Sequence, residues 1–254
     1  MEVHQHSHTP RTKWKHYVWE FFMLFLAVFC GYLAEWKLEH RIEKQREKKF
    51  MQSLLKDLQT DMDSLKTYTL KKERKLVQCD SLINQLLSAP HDNASKIYLW
   101  GRLATRRHHF YPQDGSLRQL DNSGGFRVIH DQNILDSINS YQLLIKQNKE
   151  NIEVEEKELT EYGQFASKLF SAAVFQSMTA SGQVQEPGGS PALMSYDPFL
   201  LNELCNKLHY WKRTALTTLQ NYNLMEQKAT SLSALIKHEY HLSESSARTP
   251  SDTH

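Results

Sequence analysis

The pattern of apolar and charged positions changes once, near the N-terminus. From Tyr17 to Trp36 the chain reads YVWEFFMLFLAVFCGYLAEW, and from His40 it reads HRIEKQREKKFMQSLLKDLQTDMDSL, with no proline between. The first stretch predicts a membrane-spanning helix and the second a charged heptad helix continuing from it. The uncharged core Phe21 to Ala34 rises only about 21 Å at ~1.5 Å per residue, short of a hydrocarbon layer of roughly 30 Å. Trp14, Tyr17 and Trp19 on one side, with Tyr32 and Trp36 on the other, supply the two aromatic belts that complete a span. Cleavage as a signal peptide does not fit, because Gly31 to Trp36 places bulky and charged residues where a small-x-small site belongs.

Beyond the span, apolar positions step by four and three through Met51, Leu55, Leu58, Met62, Leu65, Thr69, Lys72, Leu76, Cys79, Ile83 and Leu86. Such a stripe predicts a coiled-coil-like seam, interrupted by Thr69 and Lys72 and ended at Ala89-Pro90. A second stripe follows the N-cap Asp131 through Ile134, Ile138, Tyr141, Ile145, Ile152, Leu159, Tyr162, Ala166, Leu169 and Ala173, a helix of about 46 residues. A third starts at Asp197-Pro198 and uses Leu201, Leu204, Leu208, Trp211, Ala215, Leu219, Tyr222, Met225, Ala229, Leu232 and Ile236. Shorter helical pieces are expected at Lys96 to Thr105 and Gly115 to Asn122, before the turn Ser123-Gly124-Gly125.

The fold class is therefore all-α: an N-terminal transmembrane helix continuing into an antiparallel, up-down-up bundle of three long helices, with short helices at the membrane-distal tip. Nine glycines and seven prolines leave few turns for a sheet. The expected domains are a disordered His-rich tail (1–16), the transmembrane helix (17–36), the bundle (37–242) with its tip region (91–130) and a flexible loop (178–196), and a disordered tail (243–254).

Charge narrows the partners. Lys+Arg 31 against Asp+Glu 29 gives a formal +2, not the basic excess of a nucleic-acid binder. A bare positive-inside count, with Arg11, Lys13 and Lys15 before the span and six cations from Lys37 to Lys49 after it, places the bundle in the cytoplasm. Glu39, Glu43 and Glu47 interleave with those cations as helix pairs, and a short basic tail before an uncleaved anchor is an ordinary export arrangement. The periplasmic side is the one expected.

Candidate chemistry is sparse. Arg106, Arg107, His108, His109, Phe110 and Tyr111 set two cations beside aromatics at an expected surface loop, a pattern suited to an anionic ligand, a glycan or an acidic partner. The plainer reading, a solvated basic loop with its aromatics tucked into the bundle end, takes precedence. Glu20 is an intramembrane carboxylate and so a candidate contact, although the helix N-terminus and His16 four residues earlier account for it structurally. His4, His6 and His8 offer incidental metal affinity without a supporting shell. No histidine follows a glutamate by three, as di-iron bundles require, and His238-Glu239-Tyr240-His241 lacks zincin spacing. Gly188-Gly189 lacks the lysine of a phosphate loop. Cys30, Cys79 and Cys205 fall in the span or on core stripes and read as structural thiols. In an up-down-up bundle Cys79 and Cys205 lie on the order of 40 Å apart along the axis, so both are expected free. No catalytic, metal or cofactor-binding residue is assigned.

Glu20 before the apolar run, Trp36 and Glu39 after it, the basic continuation, LLKDLQTD from Leu54 to Asp61, and Leu117-Arg118-Gln119-Leu120 followed by Ser123-Gly124-Gly125-Phe126-Arg127-Val128-Ile129 resemble a family of uncharacterised single-pass membrane proteins common in Bacteroidota. The resemblance covers roughly residues 17 to 145 and implies a bacterial cytoplasmic membrane and a helical soluble domain, with no activity attached. The histidine-rich tail departs from the family, and residues 179–196 match no pattern. The expected function is a non-enzymatic, membrane-anchored helical scaffold or interaction module. Its expected partners are the lipid bilayer, a second copy of the chain met along the stalk, and an unidentified protein. The alternative is an extracytoplasmic sensor or ligand-binding bundle that uses Arg106 to Tyr111 and acts through a partner; a membrane-bound enzyme rests on no motif.

Overall fold

A computed structural model describes residues 14–122, 124–180 and 182–242. His4, His6, His8, Ser123 and the 243–254 tail lie outside them. The elements are α1 (Trp14–Ser88), α2 (Ala94–Ala104), α3 (Gly115–Asn122), a 3₁₀ turn (Gly125–Val128), α4 (Gln132–Ala166), α5 (Ala172–Ser177) and α6 (Pro198–Glu239). No strand occurs among the described residues, and the all-α class with three long helices holds.

Backbone contacts divide the chain into two units, residues 1–49 and 50–254, with the boundary inside α1. In the first unit, every side chain from Phe21 to Ala34 is exposed, Phe21 by 68% and Leu24 by 70%. The helix is long and apolar enough to cross a membrane. His16 Nε2 lies 3.4 Å from Glu20 Oε1, one helical turn away.

The second unit is built on two apolar cores. One joins Leu76–Leu86 of α1 to Leu159–Ala166 of α4 and Leu201–Ala215 of α6. The other joins Met51–Leu65, Ile134–Tyr141 and Tyr222–Ile236. These pairings correct the up-down-up order. Asp61 meets Tyr141 and Lys72 meets Glu155, so α1 and α4 run parallel. Asp80 meets Lys212 and Met62 meets Thr230, so α6 is antiparallel to α1, as it is to α4 through Glu158–Thr214 and Leu144–Asn221.

The cause is the segment 91–130, which does not gather at one tip as expected. α2 packs at the Ser88 end, with Ile97 and Tyr98 in the first core. The chain then runs back, without helix, from Arg106 to Asp114. α3 sits at the opposite end, where Leu117 and Leu120 join Met51 and Leu54. The α1 stretch from Asp57 to Lys75 rises about 27 Å, and the leg from Arg106 to Ser116 reaches at most roughly 33–36 Å. The return must therefore run extended, and α4 starts where α1's bundle portion starts.

Caps set the other boundaries. Asp131 accepts from Ile134 N at 3.0 Å, and Asp197 accepts from Phe199 N at 2.9 Å with Pro198 in the first turn. α4 stops at Ala166, not near Ala173. Beyond it the backbone tightens into Lys168→Phe165 and Leu169→Ala166 bonds, and Leu169 and Phe170 are both buried on the turn that follows. Phe170 then presses on Gly101, where a Cβ would collide with its ring.

The segment 178–196, expected as a flexible loop, is tied down at several points. Tyr98 Oη donates to Ala192 O and accepts from Ser171 N, both at 3.0 Å; Met194 N donates to Leu169 O at 2.9 Å; and Leu193 enters the core. The heptad stripe is covered by α4 and α6 of the same chain. Cys79 and Cys205 share the first core beside Tyr162, which overturns the 40 Å separation because α6 starts at the Ser88 end. Both are free thiols, and burial pushes them up to about 12 and about 11.

Candidate functional site

An extended leg with no β partner must find hydrogen bonds elsewhere for its buried backbone. Here three helices supply them. Phe110, fully buried, donates its N–H to Tyr222 Oη at 2.9 Å and accepts at its carbonyl from Asn148 Nδ2 at 3.0 Å. Gln113 N donates to Asp61 Oδ1 at 2.7 Å, while Tyr141 Oη donates to Asp61 Oδ2 at 2.6 Å. Ser116 N donates to Asp57 Oδ2 at 3.0 Å, and Lys75 Nζ donates to Arg106 O at 2.5 Å. Several polar residues buried in the core are thus the fastenings of one strap.

Electrostatics follow from that burial. Asp61 is 1% exposed, and burial lifts it to about 6, with the Tyr141 and Gln113 bonds pulling the other way. Burial lowers Lys75 to about 8, and its Nζ lies 4.2 Å from the Trp211 ring centre. Lys72, one turn earlier, reaches Glu155 Oε1 and Oε2 at 2.6 and 2.8 Å, and Thr218 Oγ1 donates to the same carboxylate at 2.5 Å. Burial lowers Lys72, and Glu155 opposes the shift. The two polar interruptions of the α1 stripe therefore differ: Lys72 is ion-paired in the core, whereas Thr69 Oγ1 is buried without a partner among the described residues.

The predicted stretch Arg106 to Tyr111 is split by the strap's geometry. His109 and Phe110 point into the bundle, Tyr111 points out at 67% exposure, and His108 is half-buried. His109 Nε2 lies 2.8 Å from Glu156 Oε1, and Arg107 Nε binds the other oxygen of that carboxylate. Burial raises Glu156, but the bonds from Arg107 and His109 more than offset it and leave it below its usual value. Burial lowers His109 and His108. Arg106 and Arg107 do reach a common site, a groove of about 550 Å³ where α2, the end of α4 and α5 meet. Arg102, Gly101, Gly163, Phe170 and Phe175 complete it, and none of these stood out in the sequence. The amphipathic α2 was visible, but which cation it turns towards α4 was not.

Glu20 stands apart from all of this, in the first unit, beside His16. Among the described residues, no group of three or more His, Cys, Asp or Glu side chains is placed to hold a metal. Comparison with protein-family models, curated proteins and solved structures finds no match.

Proposed function

We propose that the chain is a non-enzymatic, membrane-anchored helical scaffold or interaction module. The observation that carries the reading is the apolar helix with every side chain from Phe21 to Ala34 exposed. So much bare apolar surface is rare on a soluble monomer, and a bilayer is the solvent that removes its cost. The scaffold half of the reading is supported by how the buried charges are used: Asp61, Lys72, Lys75, Glu155 and His109 all bind other parts of the same chain. The site is a bacterial cytoplasmic membrane, with the bundle on the periplasmic side. Partners beyond lipid dock on outer faces, and a second copy would use a face other than the covered stripe.

Two measurements test this. The full chain should stay in the membrane pellet after an alkaline wash, and Leu24→Arg with Val28→Arg, each costing about 2.5–3.5 kcal/mol at a helix centre, should release it. If the parent washes off, the anchor is refuted. Alkaline phosphatase fused after Thr249 should be active; an inactive fusion alongside a fluorescent cytoplasmic reporter fusion would reverse the orientation.

A further inference from the structure

We infer that the groove between α2, the end of α4 and α5 is a binding site for a small amphiphilic oxyanion, a carboxylate or phosphate head on an apolar body. Its volume, about 550 Å³, lies within the size range of small-molecule sites. Three arginines line it: Arg102, Arg106 and Arg107. Only Arg107 is ion-paired among the described residues, to Glu156, which leaves two fixed cations without a carboxylate. Arg102 Nε is buried without a hydrogen-bond partner among the described residues, while its Nη1 reaches Thr105 Oγ1 at 3.4 Å. A buried charged donor left unmet is costly, and an oxyanion accepting from Arg102 and Arg106 would meet it with charge-assisted bonds.

Beside the cations the lining is largely apolar. Phe175 and Phe170 stack with ring centres 5.3 Å apart, the Arg102 guanidinium lies 5.7 Å from the Phe175 centre, and Val184 closes one side. Gly163, inside α4, opens the space: a Cβ there would meet no atom within 4 Å. Cations alone would suit inorganic phosphate, and the apolar wall alone would suit a neutral hydrocarbon. The two together select a molecule with both characters. The groove depends on α5 and the docked 178–196 segment and owes nothing to the anchor, so the inference stands whether or not the scaffold reading does.

Isothermal titration of the full chain in lipid nanodiscs, with empty nanodiscs as blank, provides the test. The probes are 2-naphthoate, 2-naphthyl phosphate, the neutral 2-naphthamide and inorganic phosphate. The two amphiphilic anions should bind, one better than the other according to head group, and the other two at least tenfold more weakly. Arg102→Gln and Arg106→Gln should each weaken binding tenfold or more. Gly163→Leu should abolish it by filling the groove, while the melting temperature holds or rises because glycine leaves a helix interior. Failure of both anions to bind, equal binding of 2-naphthamide, equal binding of inorganic phosphate, or full binding by a folded Gly163→Leu would each overturn the proposal.

Discussion

Lys72 and Glu155 are 2% and 1% exposed, so neither charge can fall back on water. Removing one partner leaves the other stranded. Lys72→Met should cost about 3–5 kcal/mol in urea denaturation, and adding Glu155→Leu should recover most of it; a single variant as stable as the parent would show the pair to be solvated. Asp61 gives a pH dependence of the opposite sense to ordinary acid denaturation. Its pKa is about 6 in the folded chain against 3.8 unfolded, so between those values the folded state holds more protons. Stability from this group is lowest above pH 6 and rises by about 3 kcal/mol as pH falls below 4. Asp61→Asn should remove that component from a stability-against-pH curve, and an unchanged curve would assign the buried carboxylate no such role.

At the scale of elements, Gly101 marks where α2 and the turn after α4 touch. Alanine favours a helix by about 1 kcal/mol over glycine, yet Gly101→Ala should lower stability by about 1–3 kcal/mol through overpacking, because the added methyl meets the Phe170 ring. Gly101→Ala with Phe170→Leu should regain much of the loss; thermal melts decide, and a stabilised single variant would contradict the close approach. The three long helices were legible in the sequence because their apolar positions repeat at the helical period over many turns. The strap was not. It is held by side chains scattered over α1, α4 and α6, among them Asp61, Asn148 and Tyr222, and no periodicity links them. The end of α4 was misplaced because Leu169 and Ala173 continue the stripe in register, while burial of both Leu169 and Phe170 depends on neighbours the stripe does not name. Of the candidate site, Arg106 and Arg107 were visible as cations, but Arg102 and Gly163 join them only through the packing of α2 on α4.

For the bundle unit as a whole, the direction of each helix is the main departure, and it is open to direct test. A zero-length carbodiimide should join Lys212 to Asp80, which are ion-paired here, and Lys207 to Glu161, whose charged atoms are 3.9 Å apart. An up-down-up bundle would permit the second link and forbid the first, since its α1 and α6 would run parallel. Peptide mapping that finds only the Lys207 link would restore that arrangement. The same parallel pairing of α1 and α4 sets a timetable. Lys72 and Glu155 lie 83 residues apart in sequence, and Asp61 and Tyr141 lie 80 apart. Contacts so remote close slowly, and at about 5–20 residues per second the ribosome needs roughly 4–16 s to make the intervening chain. Through that interval the leucine stripe of α1 has only α2, the strap and α3 to lie against it. A translation stall before α4 would therefore leave an apolar face on display, and that nascent form is the one chaperones and proteases would meet.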